Sequence, residues 1–140
     1  STQGVSSAAS DVYKRQFINL NPDSDIPVFQ QIHDEIVLAI ARGQLSDGDK
    51  LDPVRRVAKD IGINPATVKK AYDLLVSDGL VETAGRSGSI VRPGARTEAQ
   101  ERQLAEHLGR VVALARAQGF SPDELHTHLS STLKHLEVSS

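Results

Sequence analysis

A chain of 140 residues, 39% hydrophobic with no Trp, two Tyr and three Phe, has room for one medium domain or a small domain with an appendage. Its core has to rest on Ile, Leu, Val and Ala, and the absence of Cys excludes disulfide frameworks, thiolate zinc sites and cysteine nucleophiles. A formal net charge of −2 excludes a basic coat over the whole surface, so any nucleic-acid site must be a local patch.

Residues 1–16 are polar, small and without periodicity, and read as a disordered tail or vector-derived sequence. Phe17-Ile18-Asn19-Leu20 reads as a short extended segment and Asn21 to Asp25 as a loop. Pro27 suits the first turn of a helix, and Phe29, Ile32, Ile36 and Ile40 give it one apolar stripe before Gly43 stops it. After a turn over Ser46 to Lys50, Pro53 to Ile61 forms a second helix with Val54, Val57, Ala58 and Ile61 inward and Gly62 at its end.

Asn64 is an N-cap candidate with Pro65 at the first helical position. Val68, Ala71 and Leu75, assisted by Leu74, form the buried stripe of the third helix, closed by Asp78-Gly79. The period then changes. Leu80 to Thr83 and Ser89 to Arg92, joined by a turn through Ala84 to Gly88, read as a hairpin, and Pro93-Gly94 ends the unit. The predicted fold is mainly α: a winged helix-turn-helix over residues 17–93, followed by a two-helix dimerisation or effector appendage over residues 96–138.

In that appendage Thr97 to Gln118 is a long helix with Leu104, Leu108, Val111, Val112 and Ala115 on one side. Gly119 stops it, Ser121-Pro122-Asp123-Glu124 is a capping box, and Leu125, Leu129, Leu133 and Leu136 line the last helix. No apolar run approaches the roughly 18 residues that span a bilayer, and no signal peptide stands at the start. A cytoplasmic protein with no membrane partner is expected.

Leu51 to Val91 resembles the DNA-binding domain of GntR-type bacterial transcription regulators. The matching residues are Leu51, Arg55, Ala58, Gly62, Asn64, Thr67-Val68, Ala71, Leu74-Leu75, Asp78-Gly79-Leu80-Val81, Gly88-Ser89 and Ile90-Val91. Ile26 to Ile32 looks like that family's first helix. Asp52-Pro53 stands where Pro-Ser is usual, Arg56 replaces a Glu, and the wing departs from the common Gly-x-Gly-Thr-Phe-Val. The short helical remainder resembles the small-tailed YtrA-like branch, which implies dimerisation through the last two helices.

In a helix-turn-helix the second helix enters the major groove with its N-terminal residues leading. By helical spacing Asn64, Ala66, Thr67, Lys69 and Lys70 point away from the buried stripe. Thr67 can bond a phosphate or base edge, Ala66 can touch a thymine methyl, and either lysine can reach phosphate or the acceptor pair of guanine. Asn64 is expected mainly as a cap. The resemblance implies a DNA contact for Arg55, with Arg56 and Lys59 adding charge. From Arg55 to Lys70 five basic residues (Arg55, Arg56, Lys59, Lys69, Lys70) face one acid (Asp60), which gives +4 locally. Arg86 at the wing tip can enter the minor groove, with Gly85 and Gly88 allowing close approach.

No acid–base pair, nucleophile arrangement, phosphate loop or dinucleotide fingerprint is present, so neither an enzyme nor a cofactor is expected. The five His (33, 107, 126, 128, 135) read as surface residues rather than metal ligands. A homodimeric repressor on a palindromic double-stranded operator is expected; the alternative is a winged-helix module that binds protein and not DNA. The two terminal helices carry more apolar surface than an isolated pair can hide, which points to a two-fold interface, with packing back on the domain as the alternative. An unidentified small-molecule effector, implied by the resemblance, is expected at that interface or at the hinge near Pro93-Gly94-Ala95, because roughly 44 residues after the wing leave little room for a pocket.

Overall fold

The computed structural model describes residues 20–83 and 88–137, which fall into two compact units divided after Pro93. The expected tail over residues 1–16, the segment over 17–19 and the wing tip over 84–87, with Gly85 and Arg86, lie outside the described residues. In the first unit the described elements are α1 (Val28–Ala41), α2 (Val54–Ile61), α3 (Pro65–Ser77), β1 (Val81–Thr83) and β2 (Ser89–Val91). The second holds α4 (Glu98–Ala117) and α5 (Pro122–Glu137).

Helix α1 starts behind Pro27, whose extended backbone (φ −55°, ψ 148°) places the chain at the N-cap. Ile32, Ile36 and Ala39 are buried, and Phe29, Val37 and Ile40 pack on the same core. The Gln31 side chain ties the preceding loop to the helix: its Oε1 accepts from the Asn21 N–H at 2.7 Å and its Nε2 donates to the Ile26 carbonyl at 2.8 Å. Gly43 ends the helix at φ +78°, and the reversed chain buries Leu45.

Helix α2 is only eight residues long, too short to persist alone, and holds its place by burying Val57 and Ala58. It ends at Gly62 in the left-handed conformation (φ +84°), where the Gly62 and Ile63 N–H groups both donate to the Ala58 carbonyl. Gly62, Ile63 and Asn64 make the turn. The Asn64 carboxamide then accepts from the Ala66 N–H at 2.8 Å, and Pro65 opens α3 as expected.

Helix α3 lies against α1, α2 and β1. Val68, Ala71 and Leu75 are fully buried. Sequence spacing missed Tyr72, which is equally part of this stripe. Its hydroxyl donates to the main-chain carbonyl of Asp52 at 2.7 Å, and burial, reinforced by the Asp52 charge, raises its pKa, so it remains a protonated donor.

The wing pairs antiparallel, Val81 with Val91, Glu82 with Ile90 and Thr83 with Ser89, so that Val81 and Val91 both face the core. The chain before α2 adds to its other edge. Lys50 bridges to Ile90, the Leu51 N–H donates to Ser89, and the Val91 N–H donates to Asp49. The sequence predicts only a turn over Ser46 to Lys50, because a single bridge to a distant strand leaves no local pattern.

His33 departs from the surface assignment. Its imidazole Nε2 bonds Asp78 at the C-cap of α3 at 2.6 Å, its Nδ1 lies 2.9 Å from Asp34, and the side chain is 14% exposed. Burial lowers its pKa, but the bonds to Asp78 and Asp34 and their charge outweigh that and raise it above the ordinary 6.5. This clasp exists only in the folded state. Its stabilisation is therefore fully present below the unfolded-state value and lost as pH rises through the raised folded one. Urea unfolding should show stability falling as pH rises through that window, and His33→Gln should flatten the dependence.

In the second unit Thr97 caps α4 in a reciprocal box: the Gln100 N–H donates to the Thr97 hydroxyl and the Thr97 N–H to Gln100 Oε1. The expected Ser121–Glu124 box opens α5 in the same way, and its backbone and hydroxyl bonds lower the Glu124 pKa. No α4 residue is buried.

Candidate nucleic-acid interface

The turn between α2 and α3 fixes which side chains lead. With Val68, Ala71, Tyr72 and Leu75 held inward, the opposite ridge of α3 consists of Ala66, Lys69, Lys70, Asp73 and Ser77, all exposed. Thr67, expected on that side, is half-buried. Asn64 is exposed but its carbonyl oxygen is engaged as the cap, which fits the capping role expected of it.

The two lysines differ. Lys70 Nζ lies 4.0 Å from the centroid of the Phe29 ring on α1, a cation–π contact that draws the ammonium toward the scaffold. Lys69 Nζ instead donates to Asp73 Oδ2 at 2.9 Å, with both side chains about two-thirds exposed (67% and 63%). An exposed i, i+4 pair contributes only about 0.3–0.5 kcal/mol, so Lys69 can leave it for a phosphate or base at little cost.

On α2, Arg55, Arg56 and Lys59 are exposed and extend the positive edge toward the turn. Asp60 follows them on the same helix. At the wing, Gly88 has φ +82°, a conformation that favours glycine where the chain re-enters β2. Arg92 at its base lies 3.4 Å from Asp47. Asp73 and Ser77 are the residues of this ridge absent from the sequence analysis; their spacing of two and three turns from Ala66 puts them on the same side. No group of three or more His, Cys, Asp or Glu poised for a metal occurs among the described residues. No helix among them is long and apolar enough to cross a membrane.

Three helices, a tight turn, a short wing and an exposed basic edge define a winged helix-turn-helix protein of the class that regulates transcription on DNA. The family model described as "Bacterial regulatory proteins, gntR family" matches residues 29–91. The chain is 32% identical over 112 residues to the HTH-type transcriptional repressor YtrA of Bacillus subtilis, covering 78% of this chain and 86% of that protein. It is 28% identical over 116 residues to the HTH-type transcriptional regulator Rv1152 of Mycobacterium tuberculosis, covering 83% and 93%.

Among solved structures, YtrA from Sulfolobus acidocaldarius, a GntR-family transcription factor, matches with a TM-score of 0.57 and 33% identity over 69% of this chain and 98% of that one. A transcriptional antiterminator from Listeria monocytogenes shares the fold at a TM-score of 0.77 and 23% identity, over 85% and 91%. The chain belongs to the GntR family, in its YtrA-like branch: a DNA-binding transcription regulator and not an enzyme.

Replacing the α3 cap tests the local frame. Asn64→Ala should cost about 1 kcal/mol of unfolding free energy, read by urea denaturation, because the Ala66 N–H loses its acceptor.

Proposed function

We propose that this regulator is a cytoplasmic homodimer that represses transcription by seating two copies of α3 in successive major grooves of a palindromic operator. One observation carries the reading: the exposed edge formed by Arg55, Arg56 and Lys59 on α2 and Ala66, Lys69 and Lys70 on α3 concentrates positive charge on a chain whose net charge is −2. We assign Ala66 and Lys69 to base edges and the arginines to phosphates. Thr67, half-buried in the first turn of α3, suits a phosphate. Arg86 and Gly88 are assigned to the wing's contact with the neighbouring minor groove. Repression is inferred from similarity to a relative named as a repressor.

Pairing is supported by the second unit. Leu104 is 66% exposed, Val111 64% and Leu114 61% on α4, and Leu129 54% on α5. Leu108, Val111, Val112, Leu125 and Leu129 border an open apolar groove of about 520 Å³ between the two helices. Contiguous apolar surface of this kind marks an interaction site. We assign it to the same helices of a second copy, which doubles the half-sites engaged. An effector that releases the operator would then act where these helices meet their partner.

Two measurements test the reading. Lys69→Ala should leave the thermal melt unchanged and weaken binding to an operator selected from random duplexes by about 1–3 kcal/mol, the worth of a base-edge contact. Sedimentation should show a dimer that Val111→Glu converts to monomer without unfolding, since that side chain is exposed. A wild-type chain that sediments as monomer at high concentration, or a Lys69→Ala variant of unaltered affinity, would overturn the respective half of the proposal.

A further inference from the structure

The Lys69–Asp73 pair contributes little to the fold. Both side chains are about two-thirds exposed, and an exposed i, i+4 bridge stabilises a helix only slightly. Yet the pair stands in the middle of the ridge opposite Val68, Ala71 and Leu75, the ridge that the reading above turns toward DNA. A carboxylate in that position repels phosphate at every sequence. It also occupies the one lysine of the ridge that is not drawn onto Phe29.

Base edges divide this repulsion unequally among sequences. Guanine presents two acceptors in the major groove, which suit the Lys69 ammonium, whereas cytosine presents an N4 amine donor, which suits a carboxylate. A duplex with both groups in register exchanges the intramolecular bond for two intermolecular ones. Any other duplex must either leave Lys69 on Asp73 or strand the carboxylate beside phosphates. Discrimination through a penalty on wrong partners is a general route to specificity.

We propose that Asp73 is a specificity-determining residue of the DNA site, which holds Lys69 in the free protein and releases it to duplexes that offer an acceptor to the lysine and an amine donor to the carboxylate. The proposal rests on the reading that α3 faces the groove, and the test separates the two. Asp73→Asn, Lys69→Gln and the double variant are titrated against the selected operator and an unrelated duplex of equal length, across about 50 to 300 mM salt.

Freeing one lysine for one further phosphate steepens the salt slope by up to about 0.9 and raises affinity up to roughly eightfold at 0.1 M salt. Asp73→Asn should therefore tighten binding to the unrelated duplex, narrow its gap to the operator and steepen the salt slope. In the Lys69→Gln background, where no lysine is left to take up a phosphate, the steepening should be lost while relief of the carboxylate's repulsion remains. If Lys69→Gln weakens binding while Asp73→Asn leaves the unrelated duplex unchanged, the role of Asp73 is refuted and the placement of α3 stands. An undiminished steepening of the salt slope in the Lys69→Gln background also refutes it. If Lys69→Gln changes neither duplex, α3 is not in the groove and both proposals fall.

Discussion

Val68, Ala71, Tyr72 and Leu75 are buried along one side of α3, against α1, α2 and β1, and this packing fixes the rotation of the helix about its axis. Once these four side chains are inside, Ala66, Lys69 and Asp73 have to be outside, because a helix turns by about 100° per residue. Large-to-small changes among such residues cost about 2–5 kcal/mol, whereas a ridge pair contributes a tenth of that. The ridge is thus free to carry chemistry that serves recognition, because stability is supplied on the opposite side. The Tyr72 bond to the Asp52 carbonyl sharpens the arrangement by fixing the approach of the chain that enters α2.

The placement of charge follows from the same frame. Arg55, Arg56 and Lys59 sit on a short helix whose position depends on Val57 and Ala58, so the positive edge is delivered by a rigid element and not by a loop. Lys70 is half committed to Phe29, Lys69 to Asp73, and Asn64 to its own helix. Formal charge summed along the segment therefore overstates what this surface offers a phosphate, since part of it is already neutralised or oriented within the protein.

Much of this architecture was legible from residue patterns. The α1 stripe, Gly62, the Asn64-Pro65 start of α3, and the Ser121–Glu124 box all depend on neighbours within four positions, where propensity and spacing speak directly. What escaped the sequence reading depends on distant partners. His33 meets Asp78 across 45 positions, Tyr72 meets Asp52 across 20, and Lys50 bridges to Ile90. A lone His or Tyr carries no mark of such a partner. Asp73 was missed for another reason: an acid on a presumed DNA-binding helix looks like ordinary solvated surface until its bond to Lys69 is seen.

The strand pairing around β2 bears on solubility as well as on shape. With β1 on one side and residues 48–51 on the other, β2 has neither of its edges open, and the outer strands are only about three residues long. Glu82 is exposed on β1, and Lys50 on the segment that bridges to the opposite edge. Short, charged outer strands give a foreign chain too few free amides and carbonyls to extend the sheet, so the wing resists the templated stacking that open β-edges invite.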